Sequence, residues 1–136
     1  MAMPDWHSIG PHRYFTEDQF LYWEPHGQVL LPHAERFLQV VDALGARTRQ
    51  VYCLFDQRDI IPIHPDARRR YVEYVRDARP HVTIAFVSTS ILVRTVNRLG
   101  IGGARLVAGY DLKHETFDTV DAALEYIQSL RTSAPT

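Results

Sequence analysis

Two runs of consecutive apolar residues constrain this chain more than any other feature. They are VYCLF at residues 51–55 and HVTIAFVS at residues 81–88. A strand with one wet face alternates apolar and polar residues, whereas an unbroken apolar run is typical of a strand buried on both faces of a helix-covered sheet. The two runs therefore predict the central strands of the fold.

Helical periodicity around these runs predicts four helices. The first begins near Pro32 and ends at Gly45, because proline fits the first helical position and glycine commonly ends a helix. Its predicted buried stripe is Ala34, Phe37, Leu38, Val41 and Leu44. The second begins at Pro65 with His64 as its cap, and Pro80 ends it.

The third helix follows Ser88, Thr89 and Ser90, any of which can cap it, and is expected to end at Gly100. Leu92, Val96 and Leu99 are predicted to share its buried face. Residues 104–110 are compatible with either a short helix or an edge strand. Asp118 is expected to cap the last helix, whose predicted stripe is Val120, Ala123, Leu124, Ile127 and Leu130.

The amino-terminal part predicts a β-hairpin after a loose arm at residues 1–11. HRYFT and FLYWE are the two hairpin strands, with Phe20 and Tyr22 on one face and Leu21 and Trp23 on the other. HETF is expected to form the final strand, and residues 131–136 a frayed tail. The resulting order predicts one α/β domain over residues 12–130, with a mixed sheet whose later strands are mostly parallel.

Composition narrows the classes of partner. The formal net charge is −1, so no overall field would draw the chain to nucleic acid. We expect no nucleic-acid partner, no signal peptide and no membrane span. Cys53 is the single cysteine and cannot form an internal disulfide, which favours a reduced, cytoplasmic location.

Three stretches resemble the SpoIIAA-like branch of the STAS-like domains, which is grouped with the CRAL-TRIO lipid-transfer fold. They are VYCLFDQRDI, HVTIAFVSTS and TFDTVDAALEYI, and the resemblance covers Tyr14 to Leu130. Tyr126 stands where that branch commonly has tryptophan. The best understood relatives are anti-sigma-factor antagonists, in which an Asp-Ser pair at the start of the following helix carries a regulatory phosphate. This chain has His64, Pro65 and Asp66 there, and none of them supplies a hydroxyl.

Six polar residues form the candidate partner or ligand surface. Open α/β sheets bind ligands at the carboxyl ends of their strands, and the residues predicted there are Asp56, Arg58, Asp59, His64, Ser88 and Ser90. A structural interpretation competes, in which Arg58 bridges the two aspartates while the histidine and serines cap helices. The seven histidines lack the spacing of a zinc motif, so no catalytic, cofactor or metal residue is assigned.

Two functional hypotheses follow. The first is a noncatalytic STAS-like regulatory module that contacts a protein partner or another copy of itself. The second is a carrier or sensor of a small lipophilic ligand, suggested by the lipid-transfer resemblance and by the aromatic hairpin. An enzyme or a nucleic-acid binder has the least support, because no nucleophile, metal or phosphate-loop constellation is present in the sequence.

Overall fold

The computed structural model describes residues 4–78, 80–108 and 112–133, and the side chains of residues 100, 102–108 and 133 are left out of the description. Ten elements follow one another in these ranges. They are β1 (His7–Ile9), β2 (His12–Glu17), β3 (Phe20–Glu24), α1 (Leu31–Thr48), β4 (Val51–Asp56), α2 (Pro65–Ala78), β5 (Val82–Val87), α3 (Ile91–Ala108), β6 (Lys113–Phe117) and α4 (Val120–Ser133).

The described strands form one sheet in the spatial order β1-β2-β3-β4-β5-β6. β1, β2 and β3 pair antiparallel, and the strands from β3 to β6 pair parallel. β4 lies between β3 and β5, where Cys53 is in register with Leu21 on one side and Ile84 on the other. The predicted α/β class with a mixed, mostly parallel sheet and two central apolar strands is confirmed.

The sheet has a core on each face. On one face Leu21, Trp23 and Cys53 pack with the buried stripes of α1 and α2. On the other face Tyr22 and Leu54 pack in a second cluster that includes buried residues of α4. The predicted opposite facing of neighbouring residues in β3 is confirmed. The stripe predicted for α1 is also confirmed at all its positions, because Ala34, Phe37, Leu38, Val41 and Leu44 are buried.

Glycine does not end the helices where the sequence predicted. α1 continues past Gly45 to Thr48, and Arg49 takes the left-handed conformation at φ 68° and donates its N–H to the Gly45 carbonyl at 2.8 Å. α3 continues past Gly100 to Ala108. Residues 104–108 are therefore helical, and residues 109 and 110 lie outside the described ranges. The preference of glycine for helix ends is a tendency, and neither glycine ends its helix here.

The buried face of α3 also differs from the prediction. Val93 is 3% exposed, whereas Leu92 and Leu99 are 59% and 69% exposed. Ser90 caps the helix, since its Oγ accepts the N–H of Val93 at 3.2 Å. The helix therefore buries Val93, and Ile101 two turns later is partly buried against the core. Adjacent apolar residues allowed either orientation, and the predicted stripe was wrong at Leu92 and Leu99, whereas Val96 is partly buried.

Both ends of the domain depart from the prediction in detail. The loose arm expected over residues 1–11 is not seen at His7–Ile9, which pairs with β2 and buries Ile9. Gly10 permits the tight turn between these strands because its φ is +58°. Residues 131–133, expected in a frayed tail, belong to α4, and residues 1–3 and 134–136 lie outside the described ranges.

The start of α4 is capped by a different residue from the one predicted. Thr119 Oγ1 accepts the N–H of Ala122 at 3.2 Å. Asp118 is instead paired with Arg94 of α3. Ala123 and Ile127 are buried as predicted, but Leu124 is 38% exposed.

Paired leucine substitutions test this arrangement of the core. Leu54→Ala should lower the free energy of unfolding by roughly 2–5 kcal/mol, because it leaves a cavity beside a side chain that is 0% exposed. Leu124→Ala should lower it by less than about 1 kcal/mol. Urea denaturation of both variants gives the comparison, and equal losses would contradict the assigned faces of β4 and α4.

Candidate functional site

Asp56 lies at the carboxyl end of β4 and is 2% exposed. Its carboxylate accepts hydrogen bonds from Arg58 Nε and Nη2, both at 2.7 Å, and from the Tyr22 hydroxyl at 2.7 Å. The Arg58 backbone N–H also approaches Oδ1 at 3.3 Å. This bidentate pair holds the loop that follows β4 against the sheet.

The electrostatics of the Asp56 pair favour the charged form of the carboxylate. Burial raises the pKa of Asp56, but the hydrogen bonds from Arg58 and Tyr22 outweigh it, so the pKa lies below its ordinary value. Burial and the hydrogen bond to Asp56 raise the pKa of Tyr22. The group is thus an electrostatic anchor, with its oxygens already occupied by donors.

Asp59 belongs to a second cluster, so Arg58 does not bridge the two aspartates. Asp59 Oδ2 is 2.7 Å from His26 Nδ1, and Glu24 Oε2 is 2.9 Å from His26 Nε2. Arg13 pairs with the same glutamate. The hydrogen bonds to Asp59 and Glu24 raise the pKa of His26. This cluster was not predicted, although Glu24 and His26 flank the end of β3 in the sequence.

His12 is buried next to this cluster and is held as a neutral imidazole. Its Nδ1 accepts the N–H of His26 at 2.9 Å, and its Nε2 lies 3.1 Å from His33 Nδ1. The Leu30 N–H also points at His33 Nδ1, at 3.2 Å, so the proton between the rings belongs to His12 Nε2. Burial and the neighbouring His33 and His26 lower the pKa of His12 to about 4.

His64 and Ser90 act as helix caps, and Ser88 holds the turn before α3. His64 Nδ1 accepts the N–H of Asp66 at 3.1 Å, as the sequence predicted for the start of α2. Ser88 Oγ accepts the N–H of Ser90 at 3.1 Å, and Ser88 is 1% exposed. The six predicted residues therefore follow the carboxyl ends of β4 and β5 but do not converge on one pocket. Their role as a partner or ligand surface stays a prediction. Among the described residues, no group of three or more His, Cys, Asp or Glu is arranged to hold a metal ion.

A cavity of about 140 Å³ lies on the face of the sheet opposite to α4, between β4, β5 and helices α1, α2 and α3. Its wall is almost entirely apolar and includes Phe37, Cys53, Phe55, Val96 and Ile101. The exposed Arg68 is also part of the wall, so the cavity reaches the surface of the protein.

Few polar groups face this cavity. Gln57 and Asn97 exchange amide hydrogen bonds at 3.3 and 2.6 Å and so link the loop after β4 to α3. The Tyr74 hydroxyl donates to Asp42 at 2.7 Å. The buried hydroxyl of Tyr71 has no hydrogen-bond partner in the described part of the chain. Neither the unpaired hydroxyl of Tyr71 nor Asn97, a polar residue within the apolar pattern of α3, was predicted from the sequence.

Comparison with solved structures shows the fold of the chain. No protein-family model matches the chain, and no curated protein matches it. A crystal structure of an uncharacterized protein of the DUF3478 family from Shewanella loihica PV-4, described as having a SpoIIAA-like fold, aligns over 92% of each chain with a TM-score of 0.59.

This chain has a SpoIIAA-like fold. The STAS-like architecture implied by the sequence resemblance is thereby confirmed. The two sequences are 11% identical, so the SpoIIAA-like comparison concerns the fold and leaves function to be argued from the site. In the described ranges, no helix has the length and apolar character required to cross a membrane.

Substitutions of Asp56 and Asp59 test whether the Asp56 carboxylate anchors the loop after β4. Asp56→Ala should lower the free energy of unfolding by roughly 2–4 kcal/mol, because it leaves the buried Tyr22 hydroxyl and the Arg58 guanidinium without their acceptor. Asp59→Ala should cost less than about 1 kcal/mol, because its side chain is 78% exposed. Chemical denaturation measures both, and a small effect at Asp56 would contradict the anchor.

The buried histidine predicts an acid dependence of stability. The pKa of His12 falls from 6.5 to about 4 on folding, so the unfolded state binds more protons between these pH values. Stability should therefore decrease by about 2 kcal/mol from pH 7 to pH 5 through this group. His26, whose pKa is raised, contributes in the opposite direction and only above about pH 6.5.

Two asparagine variants isolate this effect. His12→Asn keeps an acceptor near the His26 N–H but does not titrate, so its unfolding free energy should vary less between pH 7 and pH 5. His81→Asn changes an exposed histidine and should keep the wild-type dependence. If the unfolding free energy of His12→Asn varies with pH as that of wild type does, the acid sensitivity belongs to other groups.

Proposed function

We propose that this chain is a noncatalytic STAS-like module that binds a small lipophilic ligand in the cavity between the sheet and α1, α2 and α3. The observation that carries the proposal is the apolar wall around a volume of about 140 Å³. Apolar cavities of about 150 Å³ in proteins bind molecules of the size of benzene. The cavity also reaches the surface beside Arg68, which gives a ligand a route of entry.

The state of the polar groups supports binding rather than catalysis. Asp56 is saturated with donors, and His64 and Ser90 satisfy the first turns of α2 and α3. Burial raises the pKa of the Cys53 thiol in the cavity wall, which keeps it in its weakly nucleophilic protonated form. His64, Pro65 and Asp66 also supply no hydroxyl for the serine phosphoswitch of the anti-sigma-factor antagonists.

Binding can be tested with toluene as the probe. Native mass spectrometry of freshly purified protein should show copurified mass, and toluene should bind with a dissociation constant in the micromolar to millimolar range typical of fragment-sized ligands. Val96→Phe fills the cavity and should abolish binding. Thr95→Phe adds the same bulk to an exposed position of α3 and should bind toluene as wild type does. Equal binding by both variants would contradict the cavity as the site.

Protein contact is the second candidate function, and the exposed apolar residues of α3 favour it. Ile91, Leu92 and Leu99 are 83%, 59% and 69% exposed. The α3 sequence also carries three arginines and no acidic residue. Charge complementarity therefore favours a partner protein with an apolar surface rimmed by acidic side chains.

This candidate requires a variant that does not disturb the fold. Arg58→Glu would place a carboxylate against buried Asp56, so it reports on folding rather than on partners. Leu99→Asp changes an exposed side chain and should no longer capture the proteins that the wild-type chain captures from native extract. Glu125→Asp, at an exposed position of α4, should capture the same proteins as wild type. If Leu99→Asp captures the same proteins as wild type, or if the wild-type chain binds anionic vesicles and no protein, the proposed protein contact through α3 is contradicted.

A further inference from the structure

Arg68 is the only charged residue among the described residues that line the cavity. It lies on the stripe of α2 that faces the cavity, because Tyr71 and Val75 follow it at steps of three and seven residues and also line the wall. Arg69 and Arg70, the next two residues of α2, are not part of the wall. One arginine of this basic run is therefore held beside an otherwise uncharged space.

The guanidinium of Arg68 belongs to the mouth of the cavity, where the wall meets the surface. Long side chains of a helix lean toward its amino end, and the loop that leads into α2 supplies Ile60 and Pro62 to the same wall. Arg68 is exposed, as expected of an arginine that packs its apolar stem on a wall and keeps its charge in water. Within the described ranges Arg68 forms no ion pair, whereas Arg69 pairs with Asp66 at 3.8 Å.

The helix ends at this edge of the sheet also favour an anion. α2 follows the carboxyl end of β4 and α3 follows that of β5, so the positive ends of both helix dipoles lie at the edge that Arg68 occupies. The acidic residue in the first turn of α2 is Asp66, which is paired with Arg69. The first turn of α3 contains no acidic residue. The mouth is therefore a place for a negatively charged group that remains in contact with water.

Resting on the proposed function, we propose that the ligand is a small monocarboxylate whose apolar body lies in the cavity and whose carboxylate pairs with Arg68 at the mouth. The two parallel N–H donors of a guanidinium match the two oxygens of a carboxylate. No second cation lines the described wall to balance the two charges of a phosphate monoester. The volume of about 140 Å³ admits one aromatic ring or a chain of similar size. Arg68 is the specificity-determining residue of this site.

Two probes of equal shape separate the charge from apolar burial. Hydrocinnamate has a carboxylate oxygen where hydrocinnamamide has an amide nitrogen, and the two molecules are otherwise alike. Calorimetric titration of wild type and Arg68→Gln with each probe gives a double-difference cycle. Arg68→Gln should bind hydrocinnamate about fivefold more weakly, as expected for one exposed charge pair, and should bind hydrocinnamamide as wild type does.

Arg69→Gln is the matched control, because it removes the same charge from the neighbouring position of α2 outside the wall. This variant should bind both probes as wild type does. Val96→Phe, which fills the cavity, should bind neither probe. Added salt should weaken the binding of hydrocinnamate to wild type and leave its binding to Arg68→Gln unchanged, since an exposed charge pair is screened. Arg68→Gln changes an exposed side chain and should melt at the same temperature as wild type.

The outcomes distinguish this inference from the proposed function. If toluene binds wild type but hydrocinnamate does not, or if Arg68→Gln and Arg69→Gln weaken hydrocinnamate equally or not at all, the carboxylate assignment is wrong and the lipophilic site stands. Hydrocinnamate that binds Val96→Phe as tightly as wild type lies outside the cavity, which also overturns the assignment. If neither toluene nor either probe binds wild type at millimolar concentration, both the site and the assignment are overturned. Selective loss of hydrocinnamate in Arg68→Gln supports both.

Discussion

Burial of β4 on both faces is the constraint on which the rest of the structure depends. Cys53 and Leu54 are 1% and 0% exposed, although they point to opposite sides of the sheet. Such a strand is stable only with layers of helix on both sides, and α1, α2 and α3 provide one while α4 provides the other. The parallel pairing with β3 and β5 then brings the carboxyl ends of these strands to one edge.

Successive side chains of β4 point to opposite faces of the sheet, which places its charged group and the cavity on different sides. Leu54 and Asp56 face the α4 side, where the carboxylate forms an ion pair with Arg58 and accepts a hydrogen bond from Tyr22. Cys53 and Phe55 face the cavity, which remains almost free of charge. The ion pair and the lipophilic cavity therefore lie within a few residues of each other along β4 but on opposite faces of the sheet. The ion pair fixes the loop after β4, and that loop supplies Gln57 to the cavity wall.

The sequence was informative wherever one side-chain pattern allowed a single arrangement. The α1 stripe and the opposite facing of Tyr22 and Trp23 follow from periods of 3.6 and 2 residues. The orientation of α3 did not follow, because Leu92 and Val93 are both apolar and only packing selects between them. Asp56 was found as a strand-end carboxylate, but its partner Tyr22 lies 34 residues away in the chain. The cavity depends on how closely three helices approach the sheet, which no local pattern encodes.

If the cavity between β4 and helices α1, α2 and α3 binds apolar molecules, a small aryl halide should enter it. Anomalous diffraction from a crystal soaked in bromobenzene tests it most directly. We expect a bromine peak in the cavity lined by Phe37, Cys53 and Tyr71, with the surrounding helices in place. A cavity filled by its own side chains, or bromine peaks confined to the outer surface, would contradict it.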